Sequence, residues 1–342
     1  MGRSMLDVVI EEGAVRIGAR FAVAFQRTLR VPDDGRTYPL PPSLGALPVL
    51  DVRAYADRVP AEWGDERAAF IPMYQREALW LSFAAAPWKP NAVQIAVGGV
   101  NAVSGEPDAT GLRADPQNYV VCPEQLWLDG INTGRGVVRQ FVAMPLGLGY
   151  TVEASVTGRE TVGGIQITVF EPKPGRFPDA EPPPPESAPG RPATRRPAAS
   201  AQPMGLGAGG AMRQKIYPDP YGVDAWDTRE CGRVVVHIVN SAQYLEITGR
   251  QPPPTPVDAK TYTDHGLPWF DLYDETKGDV AAPAPLTGVK TVAERDRERG
   301  IVAADAPVDV PESLVMKLPH DARGPAPGGS KPTPPRADPR SD

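Results

Sequence analysis

The amino-acid sequence predicts an α+β fold in which strands dominate, built on an antiparallel or mixed sheet with few short helices and long disordered segments. Two observations favour the sheet. Short apolar runs recur along the chain, and they do not alternate with helical segments as a doubly wound fold requires. A third observation favours the disordered segments, because the 42 prolines are clustered and make up roughly two and a half times the usual share of about 5%.

The first strand is predicted over Phe21–Val31, where apolar residues alternate with small or polar ones. The apolar face has Arg27 as its single exception, so we expect a strand that is half-buried. A short helix is predicted over Val52–Arg58, with Asp51 as its N-cap and Pro60 ending it.

Similar apolar runs predict further strands in the first half of the chain. These strands are predicted over Ala69–Tyr74, Ala78–Ala84, Val93–Val97, Tyr119–Val121, Val137–Ala143 and Ile165–Phe170. The residues Asn132–Gly134 have the composition of a tight turn, which predicts a hairpin at that point.

The second half contains one strong strand and one strong helix signal. Gly232–Ser241 is a nearly continuous apolar run, which predicts a central strand that is buried on both faces. Thr291–Glu294 has the pattern of a capping box, and Gly300 stands where the helix that it starts should end.

The chain is predicted to form one compact unit in two parts, 14–171 and 205–319. The second part is too thin in apolar residues to support a core of its own. Residues 172–204 are proline-rich and predict a disordered linker that is looped out as an insertion, and 320–342 predict a disordered tail. On this interpretation, deleting Glu181–Ala201 should leave the melting temperature nearly unchanged.

The glycine-rich segment Met204–Gly210 superficially resembles a nucleotide-binding loop. A proline tract precedes it where the dinucleotide fingerprint needs a strand, and no lysine followed by serine or threonine closes it. We therefore expect a flexible return into the fold at this segment, and no cofactor.

Charge and cysteine content limit the class of protein. The net charge of −6 argues against nucleic acid as the main partner. Cys122 and Cys231 cannot form a disulfide framework, and the first thirteen residues lack the apolar run of a signal peptide. Pro87, Lys89 and Pro90 interrupt the longest nearly uncharged stretch, so no membrane span is predicted. Together these features predict a cytoplasmic protein.

The segment Gly266–Glu275 is the strongest candidate for a binding site. Its candidate binding residues are Trp269, Phe270, Asp271, Tyr273 and Asp274. The aromatic residues either pack a connector onto the sheet, with the acids outward, or form an aromatic and acidic surface for a cationic group or basic peptide. The acids Asp271, Asp274 and Glu275 also suit a metal site with oxygen ligands, but their spacing is too irregular for a calcium loop and we predict no metal.

Other residues are weaker candidates for chemistry. His237 lies within the predicted central strand, and the three histidines of the chain are too dispersed for metal-ligand spacing. Cys122 ends a predicted strand, and a Cys122–His237 dyad requires the tertiary fold to bring the two residues together. Asp129 precedes the predicted hairpin turn and is one of the acids available to an enzyme.

Four segments resemble those of a family of uncharacterised microbial proteins. They are Arg139–Tyr150, Gly163–Ile167, Asp219–Gly222 and Gly266–Glu275. The resemblance covers most of the chain except the linker and the tail. That family has no established activity, so the resemblance implies no catalytic or binding residues and implies only that the two halves belong together.

The sequence favours a non-enzymatic binding or scaffolding protein that recognises a protein or peptide through an exposed sheet edge or the Trp269–Tyr273 segment. The alternative is a hydrolase-type enzyme with carboxylates such as Asp129, Asp271 or Asp274 in a cleft. The enzyme hypothesis expects two of these acids, or one acid and His237, within about 5 Å of each other in a concave pocket. The binding hypothesis expects an open apolar patch or an unpaired strand edge.

Overall fold

Strands make up most of the regular structure in the computed structural model, which describes residues 4–64, 67–180, 203–255, 257–273, 277–301 and 307–319. The strands are β1 (Ser4–Met5), β2 (Val8–Glu11), β3 (Ala14–Ile17), β4 (Phe21–Thr28), β5 (Thr37–Tyr38), β6 (Ser43–Ala46), β7 (Leu50–Asp51), β8 (Ala68–Pro72), β9 (Ala78–Ala84), β10 (Asn91–Val97), β11 (Val100–Asn101), β12 (Val120–Cys122), β13 (Trp127–Leu128), β14 (Gly130–Gly134), β15 (Val137–Pro145), β16 (Ile165–Pro172), β17 (Pro203–Arg213), β18 (Trp226–Val239), β19 (Trp269–Tyr273) and β20 (Val315–Pro319).

The helices are short and lie mostly in the second half. They are α1 (Val152–Thr157), α2 (Ser241–Thr248), α3 (Ala259–Asp264), α4 (Ala284–Thr287) and α5 (Val292–Glu298), with 3₁₀ helices at Val52–Tyr55, Ala61–Gly64, Val223–Ala225 and Glu312–Leu314. The α+β fold class predicted from the sequence is therefore confirmed. No helix in the described part of the chain is both long enough and apolar enough to cross a membrane.

Strands β1 to β18 belong to one large mixed sheet. Its antiparallel pairs connect β3, β4, β9, β15, β17, β18, β16 and β10 in that order. Parallel pairs add β1 and β8 to β18, and β5 to β17. Strands β19 and β20 form a separate parallel pair.

The sheet packs against itself around a core that contains residues from both halves of the chain. Phe25 of β4, Leu81 of β9 and Val234 of β18 all belong to this core and are fully buried. Where β3 meets β18, a Cβ atom on Gly232 would lie 2.5 Å from Cγ2 of Ile17. The glycine therefore allows the two strands to pack closely.

Strand β4 is buried on both faces, so the prediction of a half-buried strand was wrong. On its polar face, the Thr28 hydroxyl donates to the carbonyl of Pro42 and the Gln26 side chain accepts from Ser43. Arg27 is buried as well, because its guanidinium donates to the Glu77 carboxylate at 2.5 Å. Polar groups tolerate this burial because hydrogen bonds replace their contacts with water.

Strand β18 has the central position that was predicted, but its second face is only partly covered. Val234, Val236 and Ile238 are buried, whereas Val235 and His237 are half-buried. A smaller hydrophobic cluster packs against Val235 from this second side. The apolar run therefore reflects two unequal cores and not complete burial on both faces.

Turn and capping residues in the sequence predicted the positions of several elements to within a few residues. The hairpin forms between β14 and β15, but its turn lies at Arg135 and Gly136, which have φ angles of 57° and 68°. Asp51 caps a 3₁₀ helix that is shorter than predicted and ends at Tyr55. Both hydrogen bonds of the capping box predicted at Thr291 are present at the start of α5.

The glycine-rich segment Met204–Gly210 is part of strand β17, so the expectation of a flexible return was wrong. This strand pairs with β15 along most of its length. A Cβ atom on Gly210 would lie 2.2 Å from the carbonyl oxygen of Pro32, and one on Gly207 would lie 2.8 Å from that of Tyr150. The glycines are needed because neighbouring backbone approaches the strand this closely.

The described ends of the predicted linker belong to the folded structure. Pro172 is the last residue of β16, and Pro203 is the first residue of β17. Residues 173–180 follow the surface of the core, where the Phe177 ring contacts those of Tyr221 and Trp226 at centroid distances of 5.0 and 6.3 Å. The remainder of the predicted linker, 181–202, and the predicted tail, 320–342, lie outside the described residues.

Candidate functional site

The two aromatic residues at the start of β19 belong to the core. Trp269 and Phe270 are both 0% exposed. The Trp269 indole N–H donates to the Thr263 hydroxyl at 3.1 Å, and its ring lies 6.3 Å from that of Tyr38. The backbone of Phe270 exchanges two hydrogen bonds with Leu40. Neither ring offers a face to a cationic partner, so the structure corrects that expectation and agrees with aromatic packing of a connector onto the sheet.

The remaining candidate residues of this segment are only partly described. The side chain of Tyr273 and the whole of Asp274 lie outside the described residues, as does Glu275, which the metal alternative requires. In the part of the chain that the structure describes, no group of three or more histidine, cysteine or acidic residues is placed to hold a metal ion.

Asp271, in contrast, lines a groove with a volume of about 610 Å³. One wall is formed by 36–39, which includes β5, and the other by 308–312, which leads into β20. Arg213 at the end of β17 and Lys317 of β20 complete the lining around Asp271. The groove thus brings together segments that are far apart in the sequence.

Two cations meet at the Asp271 carboxylate inside this groove. The Arg213 Nη1 atom lies 3.4 Å from Asp271 Oδ2, and the Lys317 Nζ atom lies 3.7 Å from the same oxygen. The Lys317 side chain is 61% exposed, and its ammonium group lies beyond hydrogen-bond distance from the carboxylate. It therefore keeps donors that point to solvent.

At the other end of the groove, the positive charge of Arg36 is paired with two neighbouring carboxylates. Arg36 donates to the Asp309 carboxylate at 2.6 Å and also lies 3.5 Å from that of Asp34. The Tyr38 hydroxyl donates to Asp34 at 2.8 Å. Burial, together with this hydrogen bond, raises the pKa of Tyr38 to about 12, so its hydroxyl stays protonated at neutral pH.

Strand β20 forms one border of the groove and pairs with β19 on one side. Within the described residues, β19 is the only strand to which it pairs. Side chains alternate along β20, so Val315 and Lys317 face the groove and Met316 faces the other side, where it is 50% exposed. The second edge of β20 therefore presents backbone hydrogen-bonding groups beside an exposed apolar side chain.

Neither His237 nor Cys122 occupies a reactive setting. The His237 imidazole stacks on Trp63 at a centroid distance of 3.9 Å, and burial lowers its pKa to about 4. Cys122 is fully buried in the main core, where burial raises the pKa of its thiol. The histidine is thus neutral at pH 7, and the cysteine is held as an unreactive thiol.

Asp129 and Asp271, the two described acids named for an enzyme, do not share a pocket. Asp129 is fully buried and accepts a hydrogen bond from the Gln214 side chain at 3.0 Å, whereas Asp271 lines the groove with two cations beside it. His237 packs on Trp63 and lines neither groove wall. Within the described residues, the arrangement that the enzyme hypothesis expects is therefore not formed.

Sequence reasoning missed the partners of Asp271 and the strand beside it. Residues 315–319 do not alternate cleanly between apolar and polar residues, so the sequence contained little signal for β20. Arg213 carried no signal either, because only the tertiary fold brings the end of β17 next to β19.

Comparisons of the chain with protein-family models, with curated proteins and with solved structures gave no match. The groove and the edge of β20 are therefore the features that bear on function.

Proposed function

We propose that this protein is a non-enzymatic binding or scaffolding module that takes up an extended segment of a partner protein or peptide. The segment would add as a third strand to the free edge of β20 and lie beside the groove. The observation that carries this proposal is that β20 pairs with β19 alone among the described residues, and that the Met316 side chain beside its other edge is exposed.

Strand addition suits this location for two physical reasons. An edge strand offers a row of backbone N–H and C=O groups, and their hydrogen bonds give affinity to any extended chain. Side-chain contacts then give specificity, because alternate residues of the added strand face Met316 or the groove.

The hydrolase alternative has less support. Asp271 pairs with Arg213 and Lys317 in the groove, whereas Asp129 is buried elsewhere, so these two acids do not lie together as a pair of catalytic carboxylates requires. Our proposal keeps the cytoplasm as the location, where the buried thiols of Cys122 and Cys231 stay reduced.

The test is a selection of displayed random nonapeptides against the folded protein, followed by affinity measurements on the enriched sequences. The variant Met316→Glu places a charge on the proposed contact surface. Leu148→Glu is the matched control, because Leu148 is a similarly exposed apolar residue at 43% and lies in the loop between β15 and α1. We expect a loss of about tenfold or more in affinity for the first variant and none for the second.

Two results would count against the proposal. One is a selection that enriches no peptide above the background of the library. The other is a set of binders whose affinity is unchanged by Met316→Glu, which would place binding elsewhere. Circular dichroism of both variants verifies that the fold is intact.

A further inference from the structure

A second concave surface lies on the outer face of the large sheet, at β10, β16 and β18. This pocket has a volume of about 270 Å³, and the loop 108–111 contributes to its lining. The opposite face of the same strands packs into the main core through Ile95, Ile167 and Val234. Among the described residues, none lines both this pocket and the groove beside β20, so the two surfaces are separate.

The floor of the pocket contains a polar row that crosses three strands. Gln94 of β10 pairs with Thr168 of β16, and Thr168 pairs in turn with Arg233 of β18. Directly paired residues project from the same face of a sheet, so these three side chains lie side by side.

An apolar row runs next to the polar one. Phe170 follows Thr168 by two residues along β16 and therefore faces the same side. It pairs with Cys231 of β18, which pairs with Met5 of β1, and all three residues line the pocket. The pocket thus offers hydrogen-bonding groups beside an apolar surface.

Three polar groups of the pocket have hydrogen-bonding capacity left for a ligand. Gln94 is 6% exposed, and its amide nitrogen donates to the Gly111 carbonyl at 2.7 Å. Its side-chain oxygen has no partner among the described residues, and the same holds for the Thr168 hydroxyl and the Asp108 carboxylate. The pocket therefore combines two acceptors with a hydroxyl that both donates and accepts.

Other polar contacts hold the pocket in shape. The Gln166 side chain accepts from the Gly99 backbone N–H and donates to the Gly163 carbonyl, both at 2.8 Å. The Asp108 backbone N–H donates to the Gly99 carbonyl at 2.9 Å, which fixes the loop beside the turn between β10 and β11. A site that is already formed loses less conformational entropy when a ligand binds.

Charge and size limit the class of ligand. Asp108 and Arg233 are the charged residues among the described lining, and their opposite charges leave no net charge to attract an ion. The volume lies just below the roughly 300–1,000 Å³ of typical small-molecule sites, so the pocket suits a ligand of about one sugar ring.

We propose that this pocket binds a neutral polyhydroxy compound of the size of one monosaccharide. Hydroxyl groups both donate and accept, so they complement Asp108, Gln94 and Thr168 together. The C–H face of a sugar ring complements the apolar row that begins at Phe170. This site goes beyond the proposed peptide binding and does not depend on it.

The test is an NMR titration of the isotope-labelled full chain. The probes are a panel of neutral hexoses, pentoses and linear polyols, with glycine as a zwitterionic probe and inorganic phosphate as an anionic one. We expect at least one sugar or polyol to shift the amide resonances of Gly99, Gly111 and Thr168 and to leave those of β20 unchanged.

Two variants remove hydrogen-bonding groups with little change in shape. Thr168→Val should weaken binding of that sugar about fivefold, since it removes one neutral hydrogen bond. Asp108→Asn should weaken it about tenfold, because hydrogen bonds to a carboxylate are stronger than those to an amide. Asparagine also tolerates the backbone at this position, where φ is 50°.

Asp224→Asn is the matched control, because Asp224 is an exposed aspartate in the 3₁₀ helix Val223–Ala225 and does not line the pocket. This variant should bind the sugar as the unmodified protein does. A panel in which no sugar or polyol shifts Gly99, Gly111 and Thr168 would overturn the proposal, and so would a sugar whose affinity is unchanged by both pocket variants. Either result would leave the proposed strand addition standing, since no peptide enters this test.

Discussion

Deletion of Glu181–Ala201 is the perturbation whose expected effect the structure changes most. Strand β16 ends near Trp226 of β18, and β17 begins beside Val239 at the other end of the same strand. From Cys231, the partner of Phe170, to Val239, the partner of Pro203, β18 runs eight residues or roughly 26 Å at about 3.3 Å per residue. The connecting segment must cross at least this distance.

The shortened chain cannot cross it with all contacts intact. Phe177 is held on Trp226, and after the deletion only five residue steps connect it to Pro203, which reach roughly 18 Å at most. If 171–180 detach, twelve steps from Phe170 to Pro203 reach roughly 42 Å, which is more than the roughly 26 Å between these two residues. The sheet can therefore survive, but the packing of Phe177 against Trp226 and Tyr221 is lost.

We expect the deletion to cost about 1–2 kcal/mol, the value for a half-buried aromatic side chain. This corresponds to a fall in melting temperature of about 2–6 °C. Replacing the same residues with a glycine–serine segment of equal length should cost nearly nothing. The earlier expectation that the deletion is harmless considered loop entropy but not the distance between the two ends.

The assay is thermal and urea unfolding of four proteins: the unmodified chain, the deletion, Phe177→Ala, and the two changes combined. If the deletion acts by detaching Phe177, the alanine substitution adds almost nothing in the deletion background. Additive losses, or a deletion that melts like the unmodified chain, would refute this reasoning.

Three further predictions concern stability and protonation. Arg76 and a hydrogen bond from Tyr150 hold the pKa of the buried Asp296 below its ordinary value of 3.8. The ionised Asp296 therefore contributes its full stabilisation above about pH 5, and this contribution is lost as the pH falls through the lowered pKa. Asp296→Asn should therefore cost about 3 kcal/mol in urea unfolding at pH 7 and much less at pH 2. Gly210→Ala should cost about 1–3 kcal/mol by forcing backbone apart, whereas Gly288→Ala, with open space around the glycine, should be nearly neutral in the same assay. The His237 imidazole should stay neutral down to about pH 5 in an NMR titration, because its pKa is about 4, and a midpoint near 6.5 would contradict its burial against Trp63.

Local patterns were sufficient for elements whose structure depends on neighbouring residues. Strand β9 has the bounds Ala78–Ala84 that its apolar run predicted. The capping box at Thr291 starts α5, because its two hydrogen bonds join residues only three positions apart. These signals are short-range, so the sequence alone contains them.

Features that depend on tertiary contacts were not predictable in the same way. Glycine normally indicates flexibility, but in β17 it accommodates backbone from distant segments such as Pro32. Arg27 was visible as an exception in the pattern of β4, yet its partner Glu77 lies fifty residues away. Contacts between residues that are this far apart in the sequence do not produce a periodic pattern that could predict them.

The candidate site illustrates both situations. The composition of the Trp269–Tyr273 segment made it a candidate binding site, and Asp271 lines the groove. Composition did not indicate that Trp269 and Phe270 turn inward, because aromatic side chains suit a core and a binding surface equally well. The edge of β20 became a candidate only when its pairing with β19 was known.

The most direct test of the proposed strand addition is amide hydrogen exchange, measured by NMR with and without a peptide from the selection. The backbone amides of Val315–Leu318 should exchange more slowly when the peptide is bound, because hydrogen bonds to the added strand protect those on the free edge. Slower exchange elsewhere, with no change along β20, would contradict strand addition and place the binding site on another surface of the protein.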